Sequence, residues 1–241
     1  MSNEPDLRSL ENSSNDRAML LVNAAGGVLP GLGPMISTLI TGHIPHQRMD
    51  RIADFLKHLA GRVSSIEQTL ESCTAGSPEL DILEDAFMAA GRAFSGEQRE
   101  RLAKIAAFGL SSARQRHLEA KRLLAIVSEL DDEQVLLLMS YSGRFAGDRE
   151  FHRRHYSIVS PAIAARSQEQ HHIRELALQR LASAGLLEQR YKKRVSRRSL
   201  SDPSHETIQT VPDGLGISPV GDWLVKRLVE LDAADGPSGT F

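Results

Sequence analysis

A chain of 241 residues has room for one or two cores, each able to bury a sizeable interior. Its 41% hydrophobic and 25% charged residues are ordinary for a globular protein, and a formal net charge of −2, from 29 basic and 31 acidic residues, argues against a wholly basic nucleic-acid-binding domain. The single cysteine, Cys73, cannot form an internal disulfide, and the opening MSNEPDLRSLENSSND lacks the basic start of a secretory signal, so a reducing, cytoplasmic setting is expected, with membrane association left open.

Residues 1–17 are polar and predict a disordered tail. An uncharged apolar run follows from Ala18 to Ile40, AMLLVNAAGGVLPGLGPMISTLI, within a Gly/Pro-rich segment over 18–44. Gly26, Gly27, Gly31 and Gly33, with Pro30 and Pro34, work against one continuous helix: proline removes a backbone donor and each glycine costs about 1 kcal/mol in a helix interior. Two short pieces are expected, Arg17 to Ala25 and Pro34 to about Ile44. Three readings stay open: a membrane span, burial against a helical bundle or a second copy, and a sheltered segment that inserts or assembles when triggered. The residues that would carry an oligomer or membrane contact are Val28, Leu29, Leu32, Met35, Ile36, Leu39 and Ile40, with Met49, Ile52, Leu56, Leu59, Val63 and Ile66 of the helix that follows.

From Met49 to Leu70 the apolar positions Met49, Ile52, Leu56, Leu59, Val63, Ile66 and Leu70 recur at alternating steps of three and four, a heptad pattern. Ala53, Phe55 and Ala60 widen the stripe, which suits a bundle core as well as self-association. The cluster CTAGSP, Cys73 to Pro78, marks a linker. A helix from about Glu79 to Ala93 should bury Leu80, Leu83, Phe87 and Ala90. Ser95 opens a capping box with Gln98, and the helix behind it should bury Leu102, Ile105, Ala106 and Gly109, with Glu97–Arg101 and Glu100–Lys104 pairs on a wet face. Gln115 to Leu130 predicts a fourth amphipathic helix with Ala120, Leu123, Leu124 and Val127 inward. Residues 45–130 therefore read as a helical bundle.

Asp131 and Gln134 signal a new helix start before the apolar run Val135 to Met139, and a polar loop with Gly143 and Gly147 follows. Tyr156 to Arg166 is where a second helix belongs but is poorly defined. Ser167 to Ala184 predicts a helix with Ile173, Leu176, Ala177, Arg180 and Leu181 at helical spacing, stopped by Gly185 as a left-handed cap. Leu186 to Tyr191 and Thr207 to Val211 read as strands around an exposed loop, KKRVSRRSLSDPSHE, and Ser218-Pro219 starts a helix with Val220, Leu224, Leu228 and Leu231. The fold class is mainly α: a bundle, then a winged helix-turn-helix-like module over 131–231 with a small β-hairpin, and a flexible tail over 232–241.

The succession of the apolar Gly/Pro segment, HQRMDRI, LEDAF, EQRERLAKIAAFGL, AKRLLAIVSELDDEQVLLL, LASAGLLE and ISPVGDWL resembles the Abi-alpha family of bacterial abortive-infection proteins, over about Gly27 to Leu231. The resemblance implies a role in limiting phage and carries no catalytic residue. The basic stretch Lys192 to His205 falls outside that pattern.

Lys192, Lys193, Arg194, Arg197 and Arg198 place five cations within seven positions, able to meet phosphate; Arg174 is a further candidate on the preceding helix, where Arg174 and Arg180 are balanced by Glu169 and Glu175. A solvated loop is the alternative. The pairs His43/His46 and His152/His155 have a spacing that metal sites use, but neither has a nearby third ligand, so no metal is expected. Gly26-Gly27 and Gly31-x-Gly33 lack a phosphate-binding lysine, and Asp131, Asp132 and Glu133 read as helix-start charges. No cofactor, small-molecule substrate or catalytic constellation is expected. The functional expectation is a self-associating, non-enzymatic anti-phage effector with a C-terminal sensing module; the alternative is a DNA-binding regulator.

Overall fold

The computed structural model describes residues 46–62, 77–110, 114–160, 168–197 and 206–234. Among these are nine helices and one hairpin: α1 (His46–Ala60), α2 (Pro78–Arg92), α3 (Gly96–Leu110), α4 (Arg114–Val127), α5 (Asp132–Tyr141), α6 (Arg149–Arg154), α7 (Tyr156–Val159), α8 (Gln168–Ser183), β1 (Leu187–Arg197), β2 (Glu206–Ile217) and α9 (Pro219–Ala234). The chain divides into two compact units, Met1–Asp132 with Leu231–Gly239, and Glu133–Glu230 with Thr240–Phe241.

In the first unit α1 to α4 pack around one apolar core. Phe55, Leu56 and Leu59 of α1 and Ile82, Leu83, Ala86, Phe87 and Ala90 of α2 are all buried, and the Phe55 and Phe87 rings join the two helices edge to face at 5.5 Å. The α3 stripe Leu102, Ile105, Ala106 and Gly109 and the α4 stripe Ala120, Leu123, Leu124 and Val127 are buried as their spacing predicts. Gly109 has a steric reason. A Cβ there would sit 2.5 Å from Cβ of Ala120 and 3.0 Å from Cδ1 of Ile82, so only glycine lets α3 approach α2 and α4 this closely. Caps fix the helix starts. The Leu80 N–H donates to Oγ of Ser77 with Pro78 in the first turn of α2, and the Gln98 N–H donates to Oγ of Ser95 at 3.0 Å. Gln98 completes this box one residue further out than expected: its Oε1 accepts from the Phe94 N–H, and its amide donates to the Leu130 carbonyl.

The second unit is built around the succession α8, β1, β2, α9. Gly185, at φ 72°, ends α8: its N–H donates to the Ala182 carbonyl and that of Leu186 donates to the Leu181 carbonyl, a Schellman closure that turns the chain straight into β1. The hairpin is antiparallel, Leu187 opposite Ile217 and Arg197 opposite Glu206, with a bulge between Gln189 and Tyr191. Gly214, at φ 88°, stands across from that bulge, and its carbonyl accepts from the Gln189 amide. Ser218 then caps α9, its Oγ accepting from the Gly221 N–H and donating to the Gly185 carbonyl. The core here is Leu181, Leu186, Leu187, Leu224, Val225 and Leu228.

Several expectations change. The strands are longer than the alternation suggested, so Lys192, Lys193, Arg194 and Arg197 stand in the β1 ladder and not in a loop. The segment after Asp148 is not a plain loop: Oδ1 of Asp148 caps the six-residue α6, and α7 follows directly. On α3 the Glu100–Lys104 pair forms at 3.1 Å and Glu97 is exposed as expected, but Arg101 is buried on Asp132, not paired with Glu97, and Lys104 also reaches Asp232. Residues 1–45, 63–76, 111–113, 161–167, 198–205 and 235–241 lie outside the described residues, and with them the run Ala18 to Ile40, Val63, Ile66 and Arg198.

Candidate functional site

Two places in the fold gather charge. The first is the α3 surface with the last turn of α9. Nζ of Lys104 donates to Asp232 at 2.7 Å and reaches Glu100 at 3.1 Å; Arg62 meets Glu100 at 2.9 Å, and Arg101 meets Asp132 at 3.0 Å. Burial pushes the Lys104 ammonium down, but its bonds to Asp232 and Glu100 outweigh this and hold it above its usual value. Burial likewise raises Asp232, and here it wins over the lowering by Lys104 and Arg101; one carboxylate oxygen, Oδ2, is buried without a hydrogen-bond partner. For Glu100 burial would raise the carboxyl, yet Lys104, Arg62 and His58 together hold it below its usual value. Within the first unit this cluster engages Asp232, in the last turn of α9. Lys104 and Asp232 are mostly covered while Glu100 and Asp132 stay partly exposed, and the sequence carried no signal for a pair as distant as Lys104 and Asp232.

The second is the β1 edge of the hairpin. Arg190, Tyr191, Lys192 and Lys193 are exposed, Tyr191 at 63%. Lys192 pairs with Asp213 across the hairpin. The Arg190 guanidinium lies along Gly216 so closely that a Cβ at that glycine would collide with it. Lys193 stands opposite Thr210 and Tyr191 opposite Pro212, both uncharged, while Arg194 and Arg197 occupy ladder positions opposite Gln209 and Glu206. The remaining nucleic-acid candidate, Arg174, is separate from these cations. It is half-buried and donates to the Ile158 carbonyl at 2.7 Å, closing the end of α7. The face of α8 that the helical spacing marks is only partly buried: Leu181 is covered, but Ile173 and Leu176 are 53% and 59% exposed. Beside them runs a groove of about 310 Å³, lined by Glu133, Leu137, Ile158, Gln170, Ile173 and Arg174 among others.

The self-association candidates within the description divide in the same way. Leu56 and Leu59 are buried in the first unit's own core and Ile52 is half-buried there, while Met49 lies in the first turns of α1. His152 and His155 both contact the Phe151 ring, and each has a buried Nε2 without a hydrogen-bond partner; burial, and then the Arg154 charge, holds His155 below its usual value. Among the described residues no group of three or more His, Cys, Asp or Glu side chains is placed to hold a metal ion, and no helix is long and apolar enough to cross a membrane. No known family's sequence model, no curated protein and no solved structure matches the chain.

Proposed function

We propose that the chain is a non-enzymatic anti-phage effector of the Abi-alpha kind, in which the first unit and the N-terminal apolar segment assemble or meet membrane and the second unit, winged helix-turn-helix-like, senses a partner. The observation that carries this reading is the α8–hairpin–α9 arrangement, which leaves one face of α8 and the cationic edge of β1 turned outward around a closed core. The resemblance of the segments between Gly27 and Leu231 to abortive-infection proteins supports it. Self-association is assigned to Val28, Leu29, Leu32, Met35, Ile36, Leu39 and Ile40, because Leu56 and Leu59 are used by the core.

The test is phage challenge of cells expressing the protein, together with dye leakage from liposomes containing it. Fewer plaques, with loss of the infected cells, and leakage that disappears on deleting residues 18–44 are expected. Unchanged plating with no leakage would sink this reading.

A second reading, a DNA-binding regulator, is favoured by one feature: Lys192, Lys193, Arg194 and Arg197 stand on an ordered strand. It expects Arg197→Ala and Arg198→Ala each to lower the salt slope of DNA binding by about 1.

A further inference from the structure

The cations of β1 and the helix before it make different offers to a nucleic acid. In a helix-turn-helix the second helix reads the duplex groove. Here α8 carries Glu169 and Glu175, exposes Ile173 and Leu176, and has Arg174 committed to the Ile158 carbonyl, so it brings carboxylates and apolar surface where phosphates would lie. The strand offers the reverse. Tyr191 and Lys193 are two residues apart, which puts them on one face about 6.6 Å apart along β1. Opposite them stand Pro212 and Thr210, exposed and without charge, and Lys193 has no carboxylate partner among the described residues. Arg190, one residue before Tyr191, belongs by the same alternation to the other face, where it packs along Gly216. An exposed aromatic ring beside a lysine that has no carboxylate partner among the described residues is a combination by which proteins take an unpaired base by stacking and a flanking phosphate by charge. An anionic membrane would draw the same cations. It would also call for large apolar side chains to insert, and among the β1 residues whose side chains are described Tyr191 is the only exposed large hydrophobic one.

We propose that the Tyr191–Lys193 face of β1 is a binding surface for single-stranded nucleic acid, sequence-independent, with Tyr191 stacking a base and Lys193 meeting a phosphate. The proposal deepens the second reading above and rests on it only for the choice of surface; it names the single strand, not the duplex, as the partner.

The experiment is fluorescence anisotropy of the full chain with labelled poly-dT and with a duplex of equal length, from about 50 mM salt upward. Wild type binds poly-dT more tightly than the duplex. Lys193→Ala reduces the salt slope by about 0.7, the increment of one single-strand phosphate contact. Tyr191→Ala weakens binding about tenfold at unchanged slope, Tyr191→Phe restores it, and Ile173→Ser with Leu176→Ser leaves it alone; stacking at this scale is the usual yield of one aromatic platform. Urea midpoints equal to wild type exclude misfolding of the strand variants. Absence of poly-dT binding at 50 mM salt, a preference for duplex, or binding to phosphatidylserine vesicles but not to poly-dT overturns the proposal. Plaque counts are scored separately, so poly-dT binding without protection removes the effector reading alone, and protection that persists in a protein unable to bind poly-dT removes this one.

Discussion

Gly221 and Gly109 show how single residues set the packing. A Cβ on Gly221 would meet the Leu186 carbonyl, where α9 crosses the start of β1, so Gly221→Ala is expected to destabilise by about 1–3 kcal/mol, the usual cost of overpacking. Gly143→Ala, with nothing within reach of its Cβ, is the control and should change little; urea unfolding distinguishes the two. The charges around α3 act at the same scale through pH. Glu100 has a folded-state value below its unfolded one, so its contribution is present above the unfolded value and is lost as pH falls through the folded one. Lys104 is raised, so its contribution is present below its unfolded value and is lost as pH rises through the folded one. Asp232 is raised by burial, which gives its own term the opposite sign to that of Glu100: it favours the fold in acid and is lost as pH rises through the folded value. Glu100→Gln should therefore flatten the acid limb of a stability–pH curve and also shrink the alkaline limb, because Glu100 is one of the two partners that hold Lys104 up, a comparison made by thermal melts across pH.

Among the elements, α8 and the hairpin carry most of the functional argument. Leu224→Ala removes a fully buried side chain of α9 and is expected to cost about 2–5 kcal/mol, whereas Ile173→Ser and Leu176→Ser on the open face of α8 should stay within about 0.5 kcal/mol. If these two substitutions destabilise as strongly as Leu224→Ala, the outward face of α8 is not free. Helices with strong periodicity and a local stop were legible in the sequence: Gly185 as a left-handed cap, Ser95 before α3, and the stripes of α3 and α4 all depend on neighbours within one or two turns. The strands were drawn short because TIQTVPDGLGI breaks its alternation at Pro212, Asp213 and Gly214, and that break is a bulge inside a continuing ladder. Of the basic site, the residue types were legible and their setting was not: nothing local shows that Lys192 meets Asp213, twenty-one residues on, or that Arg174 closes α7. Ile173 and Leu176 had helical spacing but not burial, since spacing says which residues share a face and not what covers it.

In the whole molecule, the four-helix unit uses Phe55, Leu56 and Leu59 for its own core and the helix–hairpin–helix unit closes on Leu181, Leu186, Leu224 and Leu228, so each has its own apolar interior. The turn of α9 from Leu231 onward belongs to the first unit, where Asp232 takes Lys104. Truncation after Glu230 should accordingly lower the melting temperature of the first unit. The apolar run Ala18 to Ile40 is the part of the chain to which the effector reading assigns assembly and membrane contact. Membrane fractionation combined with mass measurement of the assembly, before and after phage infection, tests that reading most directly. The account predicts that infection moves the protein into a larger assembly in the membrane fraction, and that deletion of residues 18–44 abolishes the shift. A protein that keeps the same mass and stays out of the membrane fraction throughout infection contradicts it.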